Sequence, residues 1–198
     1  GFDFPPNDSP ENYKEVVSFI KNDPNSLGAL VTTHKLNLFK AAGDMFEKAD
    51  PYAKILDEAS CISKQGNALW AHAKDPITAG LSLEAIVDDG YWKDSGGELM
   101  ILGAGGSSLA LTLYLHNKMN GGGDVPPKII VNNRSTQRLE EMKSVHRKIG
   151  MNIPVEYNLA PDATDNDTRV GTLLPGSMVV NATGLGKDRP GSPLTDAV

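Results

Sequence analysis

The chain has a single cysteine, Cys61, so no disulfide can close within it. None of His34, His72, His116 and His146 stands at metal-ligand spacing from Cys61 or from another histidine. A disulfide scaffold and a zinc module are excluded, no metal is expected, and a reducing cytoplasm is the expected compartment. No run of about 18 apolar residues is present to cross a bilayer. Basic charge is short as well: 19 Lys and Arg face 25 Asp and Glu, a net charge of −6, with no basic stripe to neutralise a phosphate backbone. Neither nucleic acid nor membrane is therefore an expected partner. The opening Gly1-Phe2-Asp3-Phe4-Pro5-Pro6 lacks a Met, a charged n-region and an apolar h-region, so no signal peptide is expected.

What is present is a globular balance, 39% apolar, 22% charged and 6% aromatic over 198 residues. One large domain or two small ones of this length bury about 70% of the unfolded surface. Apolar residues at helical spacing (Tyr13, Val16, Val17, Phe19, Ile20) behind Ser9-Pro10-Glu11 predict a helix over 12–21. Residues 27–33 predict a short buried strand that delivers His34 and Lys35 at its end, and a helix through Leu38, Ala42 and Phe46 follows. Asp50-Pro51 breaks it before a further turn or two. Residues 61–64 and 68–73 flank Gly66-Asn67 as a β-hairpin that points at Asp75, the expected cap of a helix running to Val87.

Beyond that helix the pattern changes to β-α-β. Strand 98–102 runs into Gly103-Ala104-Gly105-Gly106-Ser107-Ser108 and a helix, then come a strand over 128–132, a helix over 138–147, a short strand over 155–157 and a fourth strand over 177–181. The glycine turn allows the backbone to approach a pyrophosphate at a helix N-terminus, with Ser108 in place of the third glycine. In that strand-before, helix-after context it predicts a dinucleotide site over a merely structural turn. The acid that would bind a ribose in an NAD site is replaced by Asn133-Arg134-Ser135-Thr136-Gln137-Arg138, whose two guanidinium groups favour NADP. Neither a nucleophile elbow around Ser107 nor a triphosphate loop at Gly184-Leu185-Gly186-Lys187 is formed. Lys35 and Asp75 sit in separate predicted turns. On pattern alone they read as a surface lysine and an N-cap, and as converging groups they would make an acid/base pair.

In order, these pieces resemble the shikimate dehydrogenase family over nearly the whole chain. The resemblance rests on Val31-Thr32-Thr33-His34-Lys35 followed by Asp75 and Gly80, on the glycine loop, on Asn133-Arg134-Ser135 with Arg138, and on Asn181-Ala182-Thr183. It implies an N-terminal α/β substrate-binding domain over 1–78 and a Rossmann NADP-binding domain over 79–198, with the active site in the cleft between them. It also implies Lys35 as the catalytic acid/base with Asp75 as its partner. Gly103, Ala104, Gly105, Gly106, Ser107, Asn133, Arg134, Ser135, Arg138, Asn181, Ala182 and Thr183 would hold the cofactor, and Thr32 and Ser60 would touch substrate.

The likeness has departures on the substrate side. The family's asparagine and proline before the lysine become Ala29 and Thr33, its threonine becomes Val31 unless Thr32 takes its place, and a substrate-binding asparagine falls near Ser60. The family's first strand and closing helix have no counterpart, so the chain is either a segment of a longer protein or carries an incomplete substrate domain. The expected activity is reversible hydride transfer between NADP(H) and shikimate/3-dehydroshikimate or a related cyclic hydroxy acid, in a protein that, where it associates, forms a homodimer. An NADP-binding sensor with little turnover is the alternative, and a Rossmann reductase that does not use Lys35 and Asp75 is a third reading.

Overall fold

Ser9 accepts the N–H of Asn12 at 3.4 Å and Pro10 occupies a first-turn position that needs no N–H, so helix α1 starts at once and runs Pro10–Asn22. The computed structural model describes residues 1–5, 8–186 and 190–198; Pro6 and Lys187 lie outside them. The chain divides into two compact units, Gly1–Asp75 and Pro76–Val198, three residues ahead of the boundary expected near Thr78.

In the first unit α1 is followed by β1 (Gly28–Leu30), α2 (Lys35–Ala42), a 3-10 turn (Gly43–Met45), β2 (Lys48–Ala49), α3 (Pro51–Leu56), β3 (Cys61–Gln65) and β4 (Ala68–His72). The sheet order is β1-β3-β4-β2, with β3 antiparallel to both neighbours and β2 parallel to β4. Tyr13, Val17 and Ile20 of α1 and Leu38 and Ala42 of α2 close the core against Ile62, Leu69 and Ala71. The strand expected over 27–33 is corrected. Only three residues pair, and Leu27 and Leu30 are 85% and 78% exposed because β1 is an edge strand with a single neighbour, β3.

Asp75 opens α4 (Asp75–Glu84), which stops before Ile86 and Val87, short of the expected end. The second unit continues with α5 (Tyr91–Ser95), β5 (Leu99–Leu102), α6 (Gly106–Asn120), β6 (Ile129–Asn133), α7 (Thr136–Ile149), β7 (Val155–Leu159), α8 (Ala163–Val170) and β8 (Met178–Asn181). Its four strands are all parallel in the order β7-β6-β5-β8, the half-Rossmann order in which the chain reverses direction across the sheet beside β5. All four residues of β5 are buried. Leu99 and Ile101 join one core cluster with Leu111, Leu115 and Met142, whereas Met100 and Leu102 join Ile130 on the other face. Among the described residues no helix is long and apolar enough to cross a membrane.

A buried polar relay ties α6 to the elements beside it. Thr112 Oγ1 donates to the Leu109 carbonyl at 3.1 Å and lies 2.8 Å from His146 Nε2, and His146 Nδ1 lies 2.6 Å from the Tyr157 hydroxyl. With the threonine proton used on Leu109, Nε2–H donates to Thr112 and Nδ1 accepts from Tyr157, which assigns a neutral Nε2–H tautomer. Burial, aided by the charge of His116, pushes His146 down to about 4, and burial pushes Tyr157 up to about 12. The unfolded histidine protonates near its ordinary value of 6.5, before the folded one does. Stability from this group is therefore complete above about pH 6.5 and is lost as the pH falls toward 4, by up to about 3 kcal/mol. Urea unfolding followed between pH 7 and pH 4 is expected to show this loss, and His146→Gln is expected to flatten that part of the profile.

Candidate functional site

In the first unit, α2 begins directly at Lys35, so the lysine stands at a helix N-terminus rather than at a strand end. His34 precedes it without capping the helix; its Nδ1 lies 3.0 Å from the Tyr13 hydroxyl and its ring packs edge-on against Phe4. Lys35 Nζ donates to Asp75 Oδ2 in a part-buried ion pair, joining residues 40 positions apart. The pattern of the sequence places these two residues in separate turns, and the structure brings them together.

The segment before β3 fixes that pair from behind. Ala59 N–H donates to the Lys35 carbonyl at 3.3 Å, and Val31 N–H donates to the Ser60 carbonyl at 2.9 Å. Ser60, buried, donates its hydroxyl to the His72 carbonyl at 3.3 Å and accepts the N–H of Lys74 at 2.8 Å, one residue ahead of Asp75. Its hydroxyl is thus engaged in holding the chain. Thr32 is exposed in the bend before α2. Glu58 is a residue that the sequence does not single out: it is 8% exposed, and burial first and Asp75 second push its carboxyl up, against the opposing charge of Lys35. Asp57 and Glu58 stand side by side in the mixed segment Asp57-Glu58-Ala59-Ser60, and nothing in it signals that the first is exposed and the second buried.

In the second unit the loop after β5 is built as a cradle. Gly103 has φ +111°, and a Cβ there would stand 2.9 Å from the Ala182 carbonyl oxygen, so the loops after β5 and β8 touch at a position that only glycine fits. Its N–H donates to the Asn132 carbonyl at 2.7 Å, and its carbonyl accepts the buried Ser108 hydroxyl at 2.7 Å. Ser108 therefore stands in for the third glycine as a tie from helix to turn. Cβ atoms built on Gly105 and Gly106 would meet nothing within 4 Å, which leaves open space over the first amides of α6. That space, the helix N-terminus and the small residues fit a pyrophosphate.

Asn133 links this cradle to the next loop. Its Oδ1 accepts the Ala104 N–H at 3.2 Å and its Nδ2 donates to the Ser135 carbonyl at 2.9 Å. Ser135 caps α7 through the N–H of Arg138 at 3.4 Å. Arg134 is exposed, whereas the Arg138 guanidinium pairs with Glu141 at 2.9 Å on the surface. Asn181 accepts both the N–H and the hydroxyl of Thr183, at 3.0 and 2.7 Å, and Ala182 N–H donates to the Leu102 carbonyl at 2.9 Å. Ser107 is exposed at the start of α6. Among the described residues no group of three or more His, Cys, Asp or Glu could hold a metal ion.

No family model matches the chain. It is similar to the shikimate dehydrogenase (NADP(+)) of Caldicellulosiruptor saccharolyticus, 28% identical over 166 residues that cover 81% of this chain and 54% of that protein. Among solved structures it is similar to shikimate 5-dehydrogenase from Listeria monocytogenes in complex with shikimate and NAD, with TM-score 0.65 and 20% identity over 93% of this chain and 58% of that one. It is equally similar to the ligand-free 5-ketofructose reductase of Gluconobacter sp. strain CHM43, with TM-score 0.65 and 20% identity over 89% of this chain and 56% of that one. The two structural likenesses establish the fold. The chain spans about half the length of the curated relatives it matches.

The two ends of the glycine loop are expected to respond differently to a methyl group. Gly103→Ala meets both the positive φ and the Ala182 carbonyl, and is expected to lower the free energy of unfolding by about 1–3 kcal/mol. Gly106→Ala, in a helix and facing open space, is expected to change it by no more than about 1 kcal/mol, in the stabilising direction. Denaturant titration of both variants checks the contrast.

Proposed function

We propose that this chain, a relative of the shikimate dehydrogenases in sequence and fold, serves an NADP-dependent oxidoreductase. The reaction is reversible hydride transfer between NADP(H) and shikimate/3-dehydroshikimate or a related cyclic hydroxy acid. The observation that carries the reading is the Lys35–Asp75 ion pair, assembled from residues 40 positions apart in the first unit. Residues 1–78 take the substrate role in this proposal and residues 79–198 the cofactor role. When bound, the nicotinamide group supplies or accepts the hydride.

The chain's own residues do the rest. In the direction of reduction Lys35 Nζ gives a proton to the carbonyl oxygen that becomes the alcohol, and in oxidation it takes that proton back. Asp75 holds the ammonium in place and neutralises it. Thr32 is proposed as a substrate contact, and Ser60 acts on substrate placement by fixing the segment that leads to Asp75. Gly103, Ala104, Gly105, Gly106 and Ser107 would receive the pyrophosphate, Arg134 and Arg138 the ribose phosphate, and Asn181, Ala182 and Thr183 the nicotinamide side, with Asn133 and Ser135 shaping the loop. A cytoplasmic location and a homodimer belong to the same proposal.

Absorbance at 340 nm with the chain, NADP and shikimate, repeated with quinate and with NAD, tests cofactor and substrate class together. Turnover with NADP is expected; dinucleotide binding without turnover of either acid would favour the sensor reading. Lys35→Ala is expected to lower kcat by about two to four orders of magnitude while dinucleotide affinity is kept. Arg134→Ala is expected to weaken NADP about 10- to 100-fold and to leave NAD unchanged, because the lost hydrogen bonds are charge-assisted and made to the extra phosphate. Calorimetric titration with each dinucleotide reads the difference.

A further inference from the structure

The Asp50 side chain is 20% exposed and engages the segment that leads to Asp75 in ways that capping a helix does not require. β2 runs parallel to β4 with Ala49 level with Ala71, and the Asp50 N–H adds one further bond, to the Ala71 carbonyl at 3.0 Å. There the ladder ends and the side chain takes over. Oδ1 accepts the Ala53 N–H at 2.8 Å, which caps α3, and the Ala73 N–H at 3.4 Å. Oδ2 stands 3.4 Å from His72 Nδ1 and 3.9 Å from Lys74 Nζ. The His72 ring is held for this contact from its other side, where Nε2 lies 2.9 Å from the Ser63 hydroxyl. Asp50 thus meets each residue from Ala71 to Lys74, and the next residue is Asp75.

We propose that Asp50 is a positioning residue for the Lys35–Asp75 pair: by fixing residues 71–74 from the β2 side, it sets where the Asp75 carboxylate meets the lysine ammonium. The inference rests on the reading of Lys35 as the acid/base and deepens it. β4 is flanked by β3 and β2, and the stretch that leaves its end is gripped from both. On the β3 side Ser60 gives its N–H to the His72 carbonyl at 2.9 Å and takes the N–H of Lys74 at 2.8 Å. On the β2 side Asp50 does the matching work. Ala73 is fully buried, so its N–H has no water to turn to, and Asp50 Oδ1 is the acceptor that lets the chain leave the sheet at that point. One carboxylate oxygen would suffice to cap α3; the second ties of Oδ1 and the contacts of Oδ2 all go to the stretch before Asp75. Because proton transfer is sensitive to small displacements of the groups involved, slack in this stretch acts on the rate of the chemical step and not on dinucleotide affinity.

Two substitutions separate positioning from capping. Asp50→Ser keeps a good helix cap but brings a single oxygen, whereas Asp50→Asn keeps an acceptor for both N–H groups. In the 340 nm assay Asp50→Ser is expected to lower kcat about 10- to 100-fold, with the KM for NADP and the denaturant midpoint little changed, and Asp50→Asn to stay within about threefold of the wild type. A Ser variant with wild-type kcat, an Asn variant no better than the Ser variant, or a kcat loss accounted for by the unfolded fraction overturns the inference. The pair is also read without turnover, from the rate at which acetic anhydride acetylates Lys35, followed by mass spectrometry. An ammonium held by a carboxylate reacts more slowly than a free amine, so Lys35 is expected to label at least about threefold faster in Asp75→Asn and in Asp50→Ser, and at the wild-type rate in Asp50→Asn. Faster labelling in Asp75→Asn without any change in Asp50→Ser overturns the inference. A chain that binds dinucleotide and turns over neither acid, while Lys35 labelling still follows Asp50, sinks the proposed reaction and leaves the positioning of the pair standing.

Discussion

The second unit depends on one buried strand. β5 is hydrogen-bonded on both edges, to β6 and to β8, and buried on both faces, so every neighbour has to be placed relative to it. Parallel neighbours cannot be reached by tight hairpins, and helical crossovers are the usual solution. The chain leaves the end of β5 for β6 and β7 on one side and comes back to β8 on the other. The loops that follow β5 and β8 are thereby pressed together, Gly103 against the Ala182 carbonyl. The demand for glycine at the mouth of the sheet is thus a consequence of strand order, and the open amides of α6 follow because the turn has no side chain to cover them.

In the first unit the corresponding constraint is electrostatic. Lys35 is the first residue of α2, where the partial positive charge of the helix end opposes a cation and where no acidic side chain stands in the first turn. Asp75 opens α4, where the same effect favours an anion. The ion pair therefore joins a charge that its own helix disfavours to one that its own helix supports. Neither residue is deeply buried, at 21% and 36% side-chain exposure, so the pair is held less by desolvation than by the bonds of residues 59–60 to the two backbone segments.

How much of this could be read beforehand differs from element to element. The strands at 98–102 and 128–132 were legible because residues buried on both faces write continuous apolar runs, the strand at 177–181 because Met178-Val179-Val180 is an apolar run although at the sheet edge it is only half-buried, and the glycine turn was legible because it follows the first of them. The run from Leu27 to Val31 looks the same on paper, yet at a sheet edge it leaves Leu27 and Leu30 in solvent. α8 was not legible, since Ala163–Val170 has almost no apolar period; its start is marked by Asp165, whose Oδ2 accepts the Asp162 N–H at 3.0 Å. α5 is only five residues long, framed by Gly90 and Gly96 in the left-handed region. Of the site, the glycine loop could be argued from its spacing, whereas Lys35 and Asp75 came from a family likeness, because a separation of 40 residues fixes no geometry. Glu58 could not be seen at all, as which of two adjacent acids is buried is decided by what packs over it.

The loop after β6 shows how a surface can be legible as composition and still differ in function from residue to residue. Asn133 uses both ends of its amide within the protein, and Ser135 uses its oxygen to cap α7, so neither has its full capacity free for a ligand. Arg134 is left as the exposed cation, with Arg138 held by Glu141 three residues on. An exposed pair at that spacing is worth about 0.2–0.5 kcal/mol, whereas charge-assisted bonds to a phosphate are worth about 1.5–3 kcal/mol each. For the proposed NADP site, Arg138 would gain by exchanging Glu141 for a dianionic phosphate beside Arg134, and Glu141 would turn to water at little cost. In the proposed reading the run 133–138 would act as a phosphate clamp in which one arginine stands ready and the second is released by the ligand itself.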